Sequence, residues 1–273
     1  MNGYFFMQFF KMQNLGNDFI FTFNNVVISE ISKMCDRNFG IGADGVVQIY
    51  LEGNKYGYNV YNKDGSMASF CGSATLCLGK YLYDNKLVGE NFEIITPSGI
   101  KQVSVISKGA KQKVTVNVGK PSFQQRSIKQ EIFNRLLFLK NGEKTIRVRA
   151  SLVSVGNLHL VIKGNYTKNE QLEIVNGVNN SDLFLNGVNI EFANKSSSGI
   201  FIDVYERGVG KTLCCTSGAC AVFGLFNKLG NAKNKEKIIF DSGNMIAEIF
   251  GGDIYITSSP SFVYSGVWSK NEY

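Results

Sequence analysis

The chain has 273 residues, 44% hydrophobic and 19% charged, enough for about two domains of roughly 150 residues with a core each. That composition excludes a disordered chain or a membrane bundle, and no run approaches the ~18 apolar residues of a spanning helix. The net charge of +7 rests on only six Arg among 29 basic residues, so the scattered Lys, densest at Lys233, Lys235 and Lys237 around Glu236, read as solvated surface rather than a nucleic-acid or membrane face.

Along the chain, alternating or apolar runs read as strands: DFIFTF (18–23), GVVQIY (45–50) and the turn-ended YGYNVYNKDGS (56–66). Cys71 then opens CGSATLCLGKYLYDNKL, about four turns apolar nearly all round, with one Lys, Lys80, before its end. A helix of that kind is buried on every side, and a sheet wrapped around it satisfies the requirement. After the TPSG turn and KVTVNVG (113–119), the plan repeats. VGNLHLV (155–161) answers NLGNDF, and GIFIDVYERGVG (199–210) leads into CTSGACAVFGLFNKLGN, which Cys215 opens and which carries Lys228 near its end. DSG and GDIYITS (252–258) follow. One offset of 144 relates Cys71 to Cys215 and Gly99 to Gly243, and an offset of 140 relates Gly16-Asn17 to Gly156-Asn157. The sequence therefore predicts an internal duplication, with a strand-rich α+β fold in each half.

The cysteines carry the chemistry. The single histidine, His159, and the lack of any CxxC pair exclude a multi-His metal centre and a zinc ribbon. The first ten residues, MNGYFFMQFF, lack a basic n-region and a small-residue cleavage site, so a cytoplasmic protein with reduced thiols is expected. Cys71 and Cys215 stand at two helix N-termini, where unpaired N–H groups and the helix dipole lower a thiol pKa. The N–H groups of Gly72, Ser73, Thr216 and Ser217 can hold a carboxylate or an enolate-like oxygen. If the duplication is a pseudo-twofold, the helices face each other across a cleft. One thiolate then removes an α-proton while the opposite thiol protonates the other face. No lysine-centred pyridoxal phosphate motif is visible, so no cofactor is expected. The alternative is that both are small core residues, since free Cys is commonly buried. Cys77 and Cys220 read as core-facing, Cys214 as an inert neighbour, and Cys35 as outside the symmetry.

At these residues the chain resembles the diaminopimelate epimerase family of cofactor-independent amino-acid epimerases and racemases. The likeness runs through KMQNLGNDF, CDRNFGIGADGVV, YNKDGSMASFCG, VGNLHLVI, GVNIEF and VYERGVGKTLCCTSGACA, in family order. The resemblance implies two pseudo-symmetric α/β domains, each a barrel-like sheet around a central helix, with SFVYSGVW returning to the first. They divide the chain into 1–121 plus 262–273 and 122–261, with the site in the cleft between. It implies catalysis by Cys71 and Cys215, pKa modulation by His159 and Glu206, and substrate contacts from Asn17, Asn62, Asn157, Asn189, Glu206 and Arg207, with Gly72, Ser73, Thr216 and Ser217. Such an enzyme belongs to lysine biosynthesis, with an amino-acid substrate and a homodimeric assembly.

Arg207 can grip a carboxylate bidentately and Glu206 can accept an ammonium, which suits that role. His159, as one histidine beside a turn, also has a purely structural reading. Several positions depart from the family pattern. CGSATLC stands where CGNGxRC is common, CCTSG replaces ACGTG, GNLH replaces GNPH, GKT replaces GET, and Gln13-Asn14 replaces His-Gly. The affected positions are Ser73, Ala74, Leu76, Thr216, Leu158 and Lys211 with that Gln-Asn pair. Retention of Asn62, Asn157, Asn189 and Arg207 favours diaminopimelate or lanthionine. The clustered departures favour another amino acid such as histidine. A catalytically silent amino-acid-binding protein is the reading from a different class.

Overall fold

The computed structural model describes residues 6–108, 111–124 and 132–269. The chain divides into two compact units: residues up to Asn117 with those from Thr257 onward, and Val118–Ile256.

The first unit runs β1 (Phe6–Asn14), β2 (Asn17–Thr22), α1 (Ile28–Cys35), β3 (Gly45–Glu52), β4 (Lys55–Asn62), β5 (Met67–Ala68), α2 (Gly72–Asp84), β6 (Asn91–Thr96), β7 (Gly99–Lys108) and β8 (Lys111–Gly119). Pairing alternates: β1 with β2 antiparallel, β2 with β3 parallel, β3 with β4 antiparallel, β4 with β6 parallel, β6 with β7 antiparallel. The short β5 lies against β4.

The second unit runs β9 (Arg135–Asn141), β10 (Lys144–Ser154), β11 (Leu158–Lys163), α3 (Lys168–Asn179), β12 (Asn189–Ser196), β13 (Gly199–Glu206), β14 (Gly210–Thr212), α4 (Thr216–Lys228), β15 (Lys235–Phe240), β16 (Gly243–Phe250) and β17 (Asp253–Ser258). Its alternation is the same: β10 with β11 antiparallel, β11 with β12 parallel, β12 with β13 antiparallel, β13 with β15 parallel, β15 with β16 antiparallel. The short β14 lies against β13, as β5 lies against β4. The duplication inferred from residue offsets is thus a repeat of topology.

One strand comes from elsewhere in the chain. The outer neighbour of β10 is β9, which immediately precedes it. The outer neighbour of β1 is β18 (Ser261–Ser269), which follows all of the second unit.

Each unit is layered the same way. In the first, α2 touches β1, β2, β7 and β18, so the sheet curves around it. Outside, Ile31, Met34 and Cys35 of α1 pack on Met7, Phe9, Ile20 and Val46. In the second, α4 touches β10–β13, β15 and β16, while Ile174 and Val178 of α3 pack on Leu137, Leu139 and Val148. The inner helices are buried because their sequence is apolar on all faces. Every α4 residue from Thr216 to Phe226 is buried, and in α2 Leu76, Leu78 and Leu82 are fully so, each contributing about 1.5–3 kcal/mol by its burial. Close approach of helix and sheet needs Gly79, where a Cβ would stand 2.9 Å from Val103 Cγ1.

Helices α1 and α3 were not anticipated from the sequence. Lys233, Lys235 and Lys237 are exposed, as expected, and Lys235 pairs with Glu248 across the β15–β16 ladder at 2.9 Å. Among the described residues no helix is long and apolar enough to cross a membrane.

Candidate active site

Cys71 and Cys215 hold the same station in the two units. Each is the N-cap of its inner helix, with φ/ψ of −137°/108° and −131°/112°. Each sulfur accepts from the backbone N–H three residues on, Ala74 at 3.5 Å and Gly218 at 3.4 Å. All six cysteines are thiols rather than disulfides, and Cys77, Cys214 and Cys220 are fully buried.

In the first unit, the Cys71 carbonyl accepts from Thr75 N at 3.0 Å, Thr75 Oγ1 at 2.9 Å and Tyr58 Oη at 3.2 Å. Tyr58 and Thr75 hydroxyls are 2.8 Å apart and both residues are fully buried. Burial pushes the Tyr58 phenol well above its ordinary range, so it is a permanent donor locking the first turn of α2. Gly72 and Ser73 are buried in that turn.

Asn17 and Asn62 are brought to one end of the sheet, because Phe19 pairs with Gly45 and Gly45 with Asn62. Asn62 Nδ2 donates to Ser66 Oγ at 2.9 Å in the Asn-Lys-Asp-Gly-Ser turn. Asn17 follows the tight turn at Leu15 and Gly16, both at positive φ, where Gln13 Oε1 accepts from Gly16 N at 2.8 Å. Its neighbour Asp18 pins the strand end: Lys11 Nζ lies 2.7 Å from one oxygen, and Arg37 grips both oxygens at 2.7 and 3.1 Å. Burial opposes ionisation of Asp18, but the bonds from Arg37 and Lys11 outweigh it and hold the carboxyl below its usual range. Burial, then Asp44 and Asp18, push the nearby Cys35 thiol up to about 12.

In the second unit, the predicted residues form a connected chain. Cys215 Sγ lies 3.3 Å from Ser217 Oγ. Asn157 Nδ2 donates to Ser217 Oγ at 3.2 Å, and Asn157 Oδ1 faces His159 Nε2 at 2.8 Å. His159, fully buried, closes the chain with Nδ1 at 2.5 Å from Glu191 Oε1. Asn189 is a brace: Nδ2 donates to Leu158 O at 3.1 Å, and Oδ1 accepts from Arg207 N at 2.9 Å. The exposed Arg207 guanidinium gives Nη1 to Asn186 O at 3.2 Å, leaving donors for a carboxylate. Glu206 Oε1 accepts from Thr212 Oγ1 at 2.7 Å, and Thr216 is buried in the first turn of α4.

One expectation is overturned. Position at a helix N-terminus predicted a lowered pKa for Cys215, yet its thiol is pushed well above the ordinary range. Burial is the main cause, followed by the charges of Glu206 and Glu191, which exceed the opposing bonds from Ser217 and Gly218.

Tyr58, Thr75 and Glu191 join the site through contacts that no motif in the sequence marks. Of the departures from the family pattern, Leu76 is wholly in the core, and Lys211 pairs with Asp203 at 2.7 Å. Ser73 and Thr216 do lie in the first turns of the two inner helices.

The family model for diaminopimelate epimerase matches residues 9–124 and 151–263. Diaminopimelate epimerases of Rickettsia typhi and Rickettsia prowazekii are 33% and 34% identical, each alignment covering 95% of this chain and 96% of the relative. That of Archaeoglobus fulgidus is 28% identical over 97% of both. Among solved structures, a hydroxyproline epimerase from Agrobacterium vitis superposes with a TM-score of 0.72 at 11% identity, covering 97% of this chain and 91% of that one. A PhzF-family phenazine biosynthesis protein from Enterococcus faecalis gives 0.67 at 12% identity, covering 97% and 99%. These two share the fold.

Proposed function

This chain belongs to the diaminopimelate epimerase family, and we propose that it converts LL-diaminopimelate to the meso form by a two-base exchange between Cys71 and Cys215. It is an isomerase, an amino-acid epimerase; the proposal concerns its substrate and its acid–base pair.

The observation that carries the reading is the equivalence of the two thiols, each an N-cap in the same backbone conformation with its sulfur over the same N–H. Inversion needs an acid and a base on opposite faces of one carbon, and a duplicated unit supplies two of the same group. As proposed, one thiolate removes the α-proton and the other thiol delivers its proton to the opposite face. Charge developing on the substrate carboxylate is held by the first-turn N–H groups of the two inner helices. Cys215, kept a thiol by burial and by Glu206 and Glu191, is the proton donor in the direction in which Cys71 starts as thiolate. Arg207 and the asparagine set suit a substrate with a second amino-acid head, and the curated relatives carry the diaminopimelate name. Lanthionine, its isostere, fits the same groups.

The test is turnover in deuterated water of a panel spanning LL-diaminopimelate, lanthionine and L-histidine. Inverted diaminopimelate should acquire deuterium at Cα much faster than recovered substrate does. Full inversion by a Cys71→Ser, Cys215→Ser double variant overturns the two-thiol route, and exclusive turnover of histidine overturns the substrate. Binding that raises the unfolding temperature without any exchange would mark a silent binding protein.

A further inference from the structure

Glu191 enters the chemistry above only through its charge beside Cys215, yet it is a fully buried carboxylate. Its Oε1 lies 2.5 Å from His159 Nδ1, and its Oε2 finds no donor among the described residues. Burying a carboxylate is costly unless a cation or strong donor meets it. The duplication shows that the fold does not require this pair. Pairing of His159 with Asn189 in the second unit corresponds to pairing of Phe19 with Gly45 in the first, which places Val47 where Glu191 stands. Phe19 and Val47 are both buried apolar residues. The helix residue opposite has changed in step. Ala74 is the third residue of α2, whereas Gly218 is the third of α4, and a Cβ there would come within 2.8 Å of Glu191 Oε1. One unit fills the place with Val47 and Ala74, the other with a carboxylate and the space to hold it.

The direction of the hydrogen bonds says what the carboxylate does. Asn157 donates through Nδ2 to Ser217, so its Oδ1 accepts from His159 Nε2–H. The other ring nitrogen faces Glu191 Oε1, and a second proton lies between them. The Ser217 hydroxyl, already an acceptor from Asn157, has its own proton to give to Cys215 Sγ. Every donor from the ring to the sulfur then points at Cys215. A neutral ring donating to Glu191 through Nδ1 would instead accept at Nε2, turn the Asn157 amide over and draw the Ser217 proton away from the sulfur.

We propose that Glu191 is a positioning residue that holds His159 doubly protonated, and so polarises the His159–Asn157–Ser217 chain to receive the thiolate of Cys215. This rests on the two-thiol reading for its catalytic consequence. Cys215 gives up its proton from a buried site flanked by Glu206 and Glu191, and the oriented chain stabilises the sulfur anion left behind. Around the pair, β11 presents His159 itself and Val153 of β10 pairs with it, while Glu206 of β13 acts on the same Cys215 sulfur of α4 as Glu191 does.

Because His159 is the only histidine in the chain, nitrogen-15 and proton NMR of the imidazole reads it without ambiguity. The wild-type ring at neutral pH should show protons on both nitrogens, with the Nδ1 proton far downfield. Glu191→Gln should lose one N–H signal. Turnover of the panel's active substrate should fall by on the order of ten- to a hundredfold in kcat, the scale for loss of an orienting partner, with KM little changed. Glu191→Asp should restore part of the ring signature and of kcat. A ring in the same state in wild type and Glu191→Gln, or an unchanged kcat, overturns the proposal. If Glu191→Gln does not fold, an Asn157→Ala variant retains Glu191 and should keep the doubly protonated ring while losing kcat; a neutral ring in wild type overturns the proposal by itself. The NMR signature needs no turnover, so failure of the epimerase reading is seen separately, as absence of exchange on any substrate.

Discussion

Asn62 and Glu206 end equivalent strands, β4 and β13, 144 residues apart, and each is engaged by a hydroxyl a few residues further along the chain. Asn62 donates to Ser66 Oγ at 2.9 Å, and Glu206 accepts from Thr212 Oγ1 at 2.7 Å. The repeated plan therefore presents an amide at one station and a carboxylate at the other. The carboxylate station bears on its own thiol, because the Glu206 charge is one cause of the raised pKa of Cys215.

Reactivity of Cys215 should follow that balance. Glu206→Gln removes a charge that disfavours the thiolate, so Cys215 should be alkylated by iodoacetamide at lower pH than in wild type. Ser217→Ala removes a bond that favours it, so the profile should move the other way. Fragmentation of the tryptic peptide Thr212–Lys228 by tandem mass spectrometry distinguishes Cys215 from Cys214 and Cys220. Identical profiles for the two variants would show that neither group controls the sulfur.

Tyr58→Phe should cost about 1–2 kcal/mol in denaturant unfolding, the worth of a buried hydrogen bond with its partner left behind. Because Tyr58 Oη reaches both Thr75 Oγ1 and the Cys71 carbonyl, its effect and that of Thr75→Val should be non-additive by about 0.5 kcal/mol or more in a double-mutant cycle. Strict additivity would mean the lock is not a unit.

Alkali should unfold the protein partly through Cys35. Its thiol is pushed from 9.0 up to about 12 in the native state. A group whose native value is raised contributes fully below its unfolded value and loses that contribution as pH rises through the native one. The denaturation midpoint should therefore fall between pH 9 and 12, and Cys35→Ala, although less stable at neutral pH, should fall less steeply. Equal slopes would remove Cys35 from the account.

What was legible in the sequence was whatever repeats or stays local. The two helices announced by Cys71 and Cys215, the strands around them and the 144-residue offset all rest on short-range pattern, and the structure contains them. Helix α3 carries a local signal, since Thr167 and Glu170 form a reciprocal capping box. Helix α1 had none, since Val27 at its N-cap makes no side-chain bond. Glu191 was hidden for a different reason. In β12 five successive residues from Asn189 are buried, because helices cover both faces of the sheet, and a carboxylate in such a strand looks like ordinary alternation. Its meaning comes from His159, 32 residues away on a parallel neighbour. The Cys215 thiol departs from its local pattern for the same cause: the helix N-terminus is local, whereas the opposing carboxylates arrive from β12 and β13.

The position of β18 also bears on how the protein is made. A ribosome completes β9 before β10, so the second unit has its whole sheet as soon as its own residues have emerged. The first unit has β1 early, but the strand that covers its outer edge is translated only after the second unit is finished. Until then the Phe6–Asn14 strand presents unpaired backbone and the Phe9 ring that Tyr264 later packs against, the kind of edge that invites association between nascent chains. In vivo, the earlier-synthesised unit is the later one to be completed.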